Sequence, residues 1–184
     1  MALDNDATLI VSGGFYYRAP TGTAFPADLD DVDAPWVNLG HTSLEDILSI
    51  SSEGGEPTVL GTLQNKQLRT TRTPRTETFS FVLQQFDEDA LKLFFGSNAT
   101  TGVDGTLQVP TNPTPTTAAF LAVFQDSGNR FAIYAPRAEI FRGEDMELSD
   151  TESFAGLPLA VTPLVHGSNT WTYAVLPLEG SGGE

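Results

Sequence analysis

The chain contains no cysteine, only two histidines, and nine lysines and arginines against 24 acids in 184 residues. Without cysteine there is no disulfide, no thiolate nucleophile and no thiolate metal site, and nothing in the sequence marks a redox compartment. The shortage of positive charge leaves a formal net of -15, which opposes binding to nucleic-acid phosphates or anionic membranes, since both normally need clustered Lys or Arg. No apolar run is long enough to cross a bilayer as a helix. The opening MALDNDATLIVSGG lacks the basic flank of a secretory signal, so the expectation is a soluble protein made in the cytoplasm.

Signatures of chemistry are equally scarce. His41 and His166 are the only imidazoles, and no HExxH pattern accompanies them. The acidic run DLDDVD, residues 28 to 33, could attract a hard cation, but it lacks the glycine and spaced final glutamate of an EF-hand loop. A solvated acidic surface explains it better. There is no GxSxG nucleophile elbow and no glycine-rich segment ending in GK[ST]. Carboxylates are plentiful, yet their spacing does not define the facing pair a glycosidase needs. The reading is therefore no catalytic residue, no cofactor, no metal site and no enzyme.

What is present favours strands. Phe, Thr, Val, Gly and Pro recur in short runs that suit pleated surfaces and turns. The length suits a single domain over 1–184. Thr8 to Val11 reads as a short strand that Gly13 and Gly14 would loosen. Residues 18 to 35, rich in Pro and Asp, read as an ordered loop or an arm. A helical turn is possible at Ser43 to Asp46. Thr76 to Phe86 alternates, with Phe79, Phe81 and Leu83 on one face. With Val59 to Leu63 it predicts a long hairpin whose outer half carries charge.

Asp87 to Gly96 predicts the one clear helix. Asp87 can cap the first amides, Glu88 and Asp89 suit the positive end of the dipole, and Gly96 suits termination. Leu91, Phe94 and Phe95 would then cover a sheet. Thr117 to Phe124 predicts a strand buried on both faces, and Asp126 to Asn129 a hairpin turn. Pro136 predicts a bulge or an end in the returning strand. Leu157 to Val161 and Trp171 to Leu176 read as extended, with Trp171, Tyr173 and Val175 sharing one face. Residues 180–184 read as a flexible terminus. The expected architecture is mainly β, a sandwich or barrel with one short helix and a projecting hairpin. Trp36, Phe79, Phe81, Leu91, Phe94 and Trp171 are assigned to its packing.

Against the acidic background stands one basic island. Lys66, Arg69, Arg72 and Arg75 supply four of the nine basic side chains within ten residues that hold no acid, leaving about -19 on the remainder. On an ideal strand, spacing of three sends Lys66 and Arg72 to one side and Arg69 and Arg75 to the other, whereas a core-packed strand tolerates charge on one side only. Pro74 also removes a ladder donor. The island is thus expected to project, and arginines can meet carboxylates of another copy with oriented hydrogen bonds. Phe15, Tyr16 and Tyr17 are divided between internal packing and a partner surface, and are included with the island as candidate subunit-interface residues.

Several segments, taken in order, carry a resemblance: WVNLGHTS at 36–43, GTLQN at 61–65, NRFAIYAPRAEI at 129–140, GEDMELSD at 143–150 and LPLAVTPL at 157–164. With them the chain resembles the major tail tube proteins of long-tailed siphophages, especially those infecting actinobacteria. The resemblance implies a β-sandwich-like subunit in hexameric rings that stack into a virion tail tube. It implies a hairpin reaching the neighbouring ring, which maps to residues 60–76, and an arm that orders on assembly, for which 1–35 is the candidate. Implied partners are the same chain, a tape measure protein, a tail terminator, distal tail or baseplate proteins and DNA in transit, with no membrane. The alternative is an adhesive or carbohydrate-binding β-sandwich using Trp36, Tyr16 or Trp171 as a stacking platform.

Overall fold

The computed structural model describes residues 8–146, 148 and 153–179. The first half contains β1 (Gly13–Ala19), β2 (Val37–Asn38), β3 (Ser49–Gly54), β4 (Pro57–Leu60), β5 (Arg69–Arg72), β6 (Arg75–Leu83) and helix α1 (Glu88–Phe95). The second half contains the short β7 (Thr100–Thr101) and β8 (Leu107–Gln108), the long β9 (Thr116–Asp126) and β10 (Asn129–Arg142), then β11 (Leu157–Pro163) and β12 (Ala174–Glu179). The main sheet runs β2-β1-β9-β10-β11-β6-β3, all antiparallel, with β12 also on β10.

One contact shows how this sheet is shaped. Tyr16 on β1 stacks on Phe81 of β6 with ring centroids 4.5 Å apart. The intervening strands would hold them roughly 19 Å apart in a flat sheet at about 4.8 Å per step. The sheet therefore folds over itself around an aromatic core of Tyr16, Phe79, Phe81, Phe120 and Phe124. The segment after β2 clasps one end: Leu39 N donates to Tyr16 O, and Ser43 N to Val82 O, each at 2.8 Å. The sheet stays open, so the sandwich stands and the closed barrel does not.

β9 is apolar throughout because both its faces are covered. Ala118, Phe120, Ala122 and Phe124 enter the aromatic core, while Ala119, Leu121 and Val123 enter a second cluster on the opposite face. That second cluster is roofed by the 20–36 loop, whose Trp36, Leu29 and Val32 pack there with Tyr134. Asp30 fixes the loop by accepting from Arg130 Nε at 2.6 Å. β10 is bent by a register shift between Ala135 and Ala138, where Pro136 sits. Its first part pairs with β12 and its last with β11.

α1 forms as its sequence predicts. Ala90 N donates to Asp87 Oδ1 at 2.8 Å, and Gly96 ends the helix at φ 115°. Its buried face is Ala90, Leu93 and Phe94, with Leu91 and Phe95 flanking. That is a rotation from the expected Leu91, Phe94 and Phe95 stripe.

Other expectations are corrected. Thr8 to Val11 is not a strand: Ile10 N donates to the Asp126 side chain at 2.8 Å instead of to a ladder carbonyl, and the strand begins at Gly13. Residues 13–19, placed in a candidate arm, pair along β9 instead. Ser43 to Asp46 makes a bend and no helical turn; Ser43 Oγ accepts from Glu45 N and Asp46 N at 3.2 and 3.1 Å, but the chain does not continue as a helix. Trp171 and Tyr173 do not share a face: both precede β12, and they contact Tyr134 and Phe79 respectively. Residues 1–7 of the candidate arm and the 180–184 terminus lie outside the described residues.

Candidate assembly surface

The hairpin carrying the basic island is built in two stages. Its inner stage is β3 on β6, from the Ser49↔Ser80 pair to the Gly54↔Arg75 pair. The expected partner of β6 was the segment around Val59, but that segment forms the outer stage with β5. The stages meet at a kink where Gly54 and Gly55 take φ 82° and 73° opposite Pro74. A Cβ at Gly54 would lie 2.3 Å from Pro74 O, so the backbones approach closer than any other residue permits. Gly55 N donates to Thr73 Oγ1 at 3.0 Å, and Pro74 interrupts the ladder between β5 and β6.

The outer ribbon closes on itself by polar contacts. Leu68 N donates to Leu60 O at 3.0 Å and Thr62 N to Asn65 O at 2.7 Å, while Asn65 Oδ1 accepts from Gln67 N at 3.1 Å. These bonds tie the tip together and leave its apolar side chains outside. Leu63 is 93% exposed, and Val59, Leu60 and Leu68 are all at least half exposed. Leu60 pairs across from Arg69, and Pro57 across from Arg72, next to Val59 and its partner Thr70. Strand alternation therefore gives each face of the ribbon an arginine and an aliphatic group.

Lys66, Arg69, Arg72 and Arg75 are all exposed, and none joins a salt bridge among the described residues. Arg75 differs in place: its side chain crosses the kink, so that a Cβ on Gly55 would lie 2.8 Å from its Cγ. The structure thus brings Lys66, Arg69 and Arg72 together on the outer arm and leaves Arg75 at its base. Beside that base Tyr173 Oη donates to Glu77, which holds the phenol above its ordinary pKa.

The aromatic candidates separate. Tyr16 is only 1% exposed and donates its Oη to Ile47 O, with burial pushing its pKa up. It is a core residue and not a partner surface, because β1 turns it toward Phe81. Tyr17 points to the opposite face and is half-buried in the second cluster. Phe15 remains exposed, tilted against Tyr17 at 6.4 Å. Phe79, Phe81, Leu91 and Phe94 pack in the aromatic core and Trp36, at 7% exposure, in the second cluster. Trp171 is 41% exposed, with one side against Tyr134. Of the three suggested carbohydrate platforms, Trp36 and Tyr16 are thus inaccessible.

Sequence reasoning missed a surface at the other end of β6. Glu45, Asp46, Glu144 and Asp145, all exposed, line a groove with Val82 and Pro158, and Leu44 beside them is 87% exposed. The four acids occur as pairs in separate parts of the chain, so only the fold assembles them. Among the described residues no three His, Asp or Glu are grouped to hold a metal.

The sequence profile of the phage tail tube protein family matches residues 1–176. The chain belongs to that family. It is 35% identical over 182 residues to the major tail protein Gp23 of Mycobacterium phage D29, covering 90% of this chain and 89% of the relative. The same identity and coverage hold for the major tail protein Gp23 of Mycobacterium phage L5. Tail tube proteins are structural components of the virion tail and not enzymes, and they assemble with copies of themselves. No helix among the described residues is long and apolar enough to cross a membrane.

Proposed function

We propose that this tail tube protein forms hexameric rings that stack into a conduit for DNA, with the 54–75 arm joining one ring to the next. The observation that carries the reading is the outer ribbon: a two-stranded element with aliphatic and cationic groups on both faces and no core beneath it. Such ribbons are marginal alone and gain stability when a further surface covers them. The net charge of -15 supplies acids for that surface on any second copy.

Ring closure has support in the open sheet. Among the described residues β3 has β6 as its only sheet partner, and the outer edge of β1 is met by β2 at only Tyr17 and Arg18. Exposed edges favour pairing with another chain, and identical neighbours around a rotation axis can satisfy them without leaving an end. Six copies bring about -90 of formal charge, so acids facing the lumen would repel DNA phosphates and keep the genome from adhering in transit. A tape measure protein within the tube, a tail terminator and distal tail or baseplate proteins fit as neighbours.

Electron microscopy of the purified chain tests this reading. Hollow tubes with six-fold end views support it; discrete monomers at every concentration and salt contradict it.

A further inference from the structure

We infer that the outer arm of one copy seats in the acidic groove at the opposite end of β6 in a second copy. This rests on the reading above that copies join through the arm, and it names the surface that receives it.

β6 sets the polarity. Its first residue, Arg75, adjoins the kink from which the arm departs, while Val82 near its last lines the groove. Seven residue steps separate Arg75 from Val82, placing these features about 23 Å apart at roughly 3.3 Å per residue. An element and its complement at opposite ends of one strand make a head-to-tail contact. Repeating that contact does not close on a pair, and where its rotation closes no ring it extends without limit, as stacked rings require.

The chemistry of the two surfaces matches. The arm offers Lys66, Arg69 and Arg72, and the groove offers Glu45, Asp46, Glu144 and Asp145. No ion pair engages any of these seven among the described residues. Arginine forks fit carboxylates with two parallel hydrogen bonds, and pairs shielded from water gain more than exposed ones. The shielding would come from Leu63 and Leu68 on the arm and from Leu44, Val82 and Pro158 at the groove, which are otherwise left against solvent or only partly covered. The groove is held in shape beforehand: Ser43 Oγ fixes the Glu45 and Asp46 amides, and Gly143 N donates to Pro158 O at 2.9 Å. The ordering cost on association therefore falls mainly on side chains.

The cysteine-free sequence allows a direct test. A chain carrying Leu44→Cys and Leu68→Cys, both exposed positions, is assembled and oxidised. The expected product is a covalent ladder extending past dimers, which reductant returns to monomer. Tubes of normal length that yield no ladder overturn the groove assignment while sparing the proposed assembly; a wild-type chain that forms no tubes overturns both. A charge exchange gives a second readout. Glu45→Arg with Glu144→Arg is expected to lower polymer yield about tenfold. Adding Arg69→Glu and Arg72→Glu to the same chain is expected to recover it. Unchanged yield in the first variant contradicts the contact.

Discussion

Leu60 and Arg69 stand directly across the outer ribbon from each other, an aliphatic side chain and a guanidinium on one face with no core beneath either. In a monomer this pairing gains little, since exposed cross-strand pairs contribute a fraction of a kcal/mol at most. It becomes useful when a second surface removes both from water.

Reversing charge at Arg69 and Arg72 separates assembly from folding. The Arg69→Glu, Arg72→Glu variant is expected to form shorter or fewer tubes, measured by electron microscopy and sedimentation. Its thermal unfolding is expected to stay within about 0.5 kcal/mol of wild type, as for surface substitutions away from packing. A matching loss of monomer stability would mean that the arginines serve the fold instead.

The kink is a backbone requirement. Gly54→Val places a β-branched side chain at φ 82°, with its Cβ at a position 2.3 Å from Pro74 O. Strain at such a site costs on the order of 1 to 3 kcal/mol, and here it falls on the junction of the arm. Tube yield is expected to drop while near-UV circular dichroism of the core persists.

The folded-over sheet depends on its aromatic contact. Phe81→Ala removes a buried ring stacked on Tyr16 and leaves a cavity, at an expected cost of about 3 to 5 kcal/mol. Denaturant unfolding of the monomer measures it, and a loss below about 1 kcal/mol would contradict the assigned core.

α1 supplies a pH test. The Ala90 amide bond, with help from Gln85, holds the Asp87 carboxyl below its ordinary pKa. A depressed folded pKa stabilises the fold above the unfolded value and is lost as pH falls through the folded one. Wild type should therefore lose helix stability relative to Asp87→Asn as pH drops below about 4. Asp87→Ala should be less stable by about 1 kcal/mol near neutrality. Equal acid sensitivity in wild type and Asp87→Asn would exclude the cap carboxylate as a source.

Local chemistry made some of this legible in the sequence. Asp87 and Gly96 mark the helix because capping involves only neighbours, and β9 announces itself because burial on both faces demands an unbroken apolar run. The basic island reads as projecting because no buried strand can carry charge on both sides. β3 was legible only in part, for the opposite reason: SISSEG is exposed along its whole length, so no alternation separates strand from turn within an extended, turn-rich stretch. The opposite placements of Tyr16 and Tyr17 depend on which layers cover β1, and the acidic groove joins residues some hundred positions apart. Those are properties of the folded sheet and leave no local pattern.

The most direct measurement is an electron cryomicroscopy reconstruction of the assembled tube that traces residues 54–75. The account predicts the ribbon crossing to the adjoining ring, with Arg69 and Arg72 beside carboxylates of another copy. An arm folded back against its own subunit, in tubes that are otherwise intact, would contradict it.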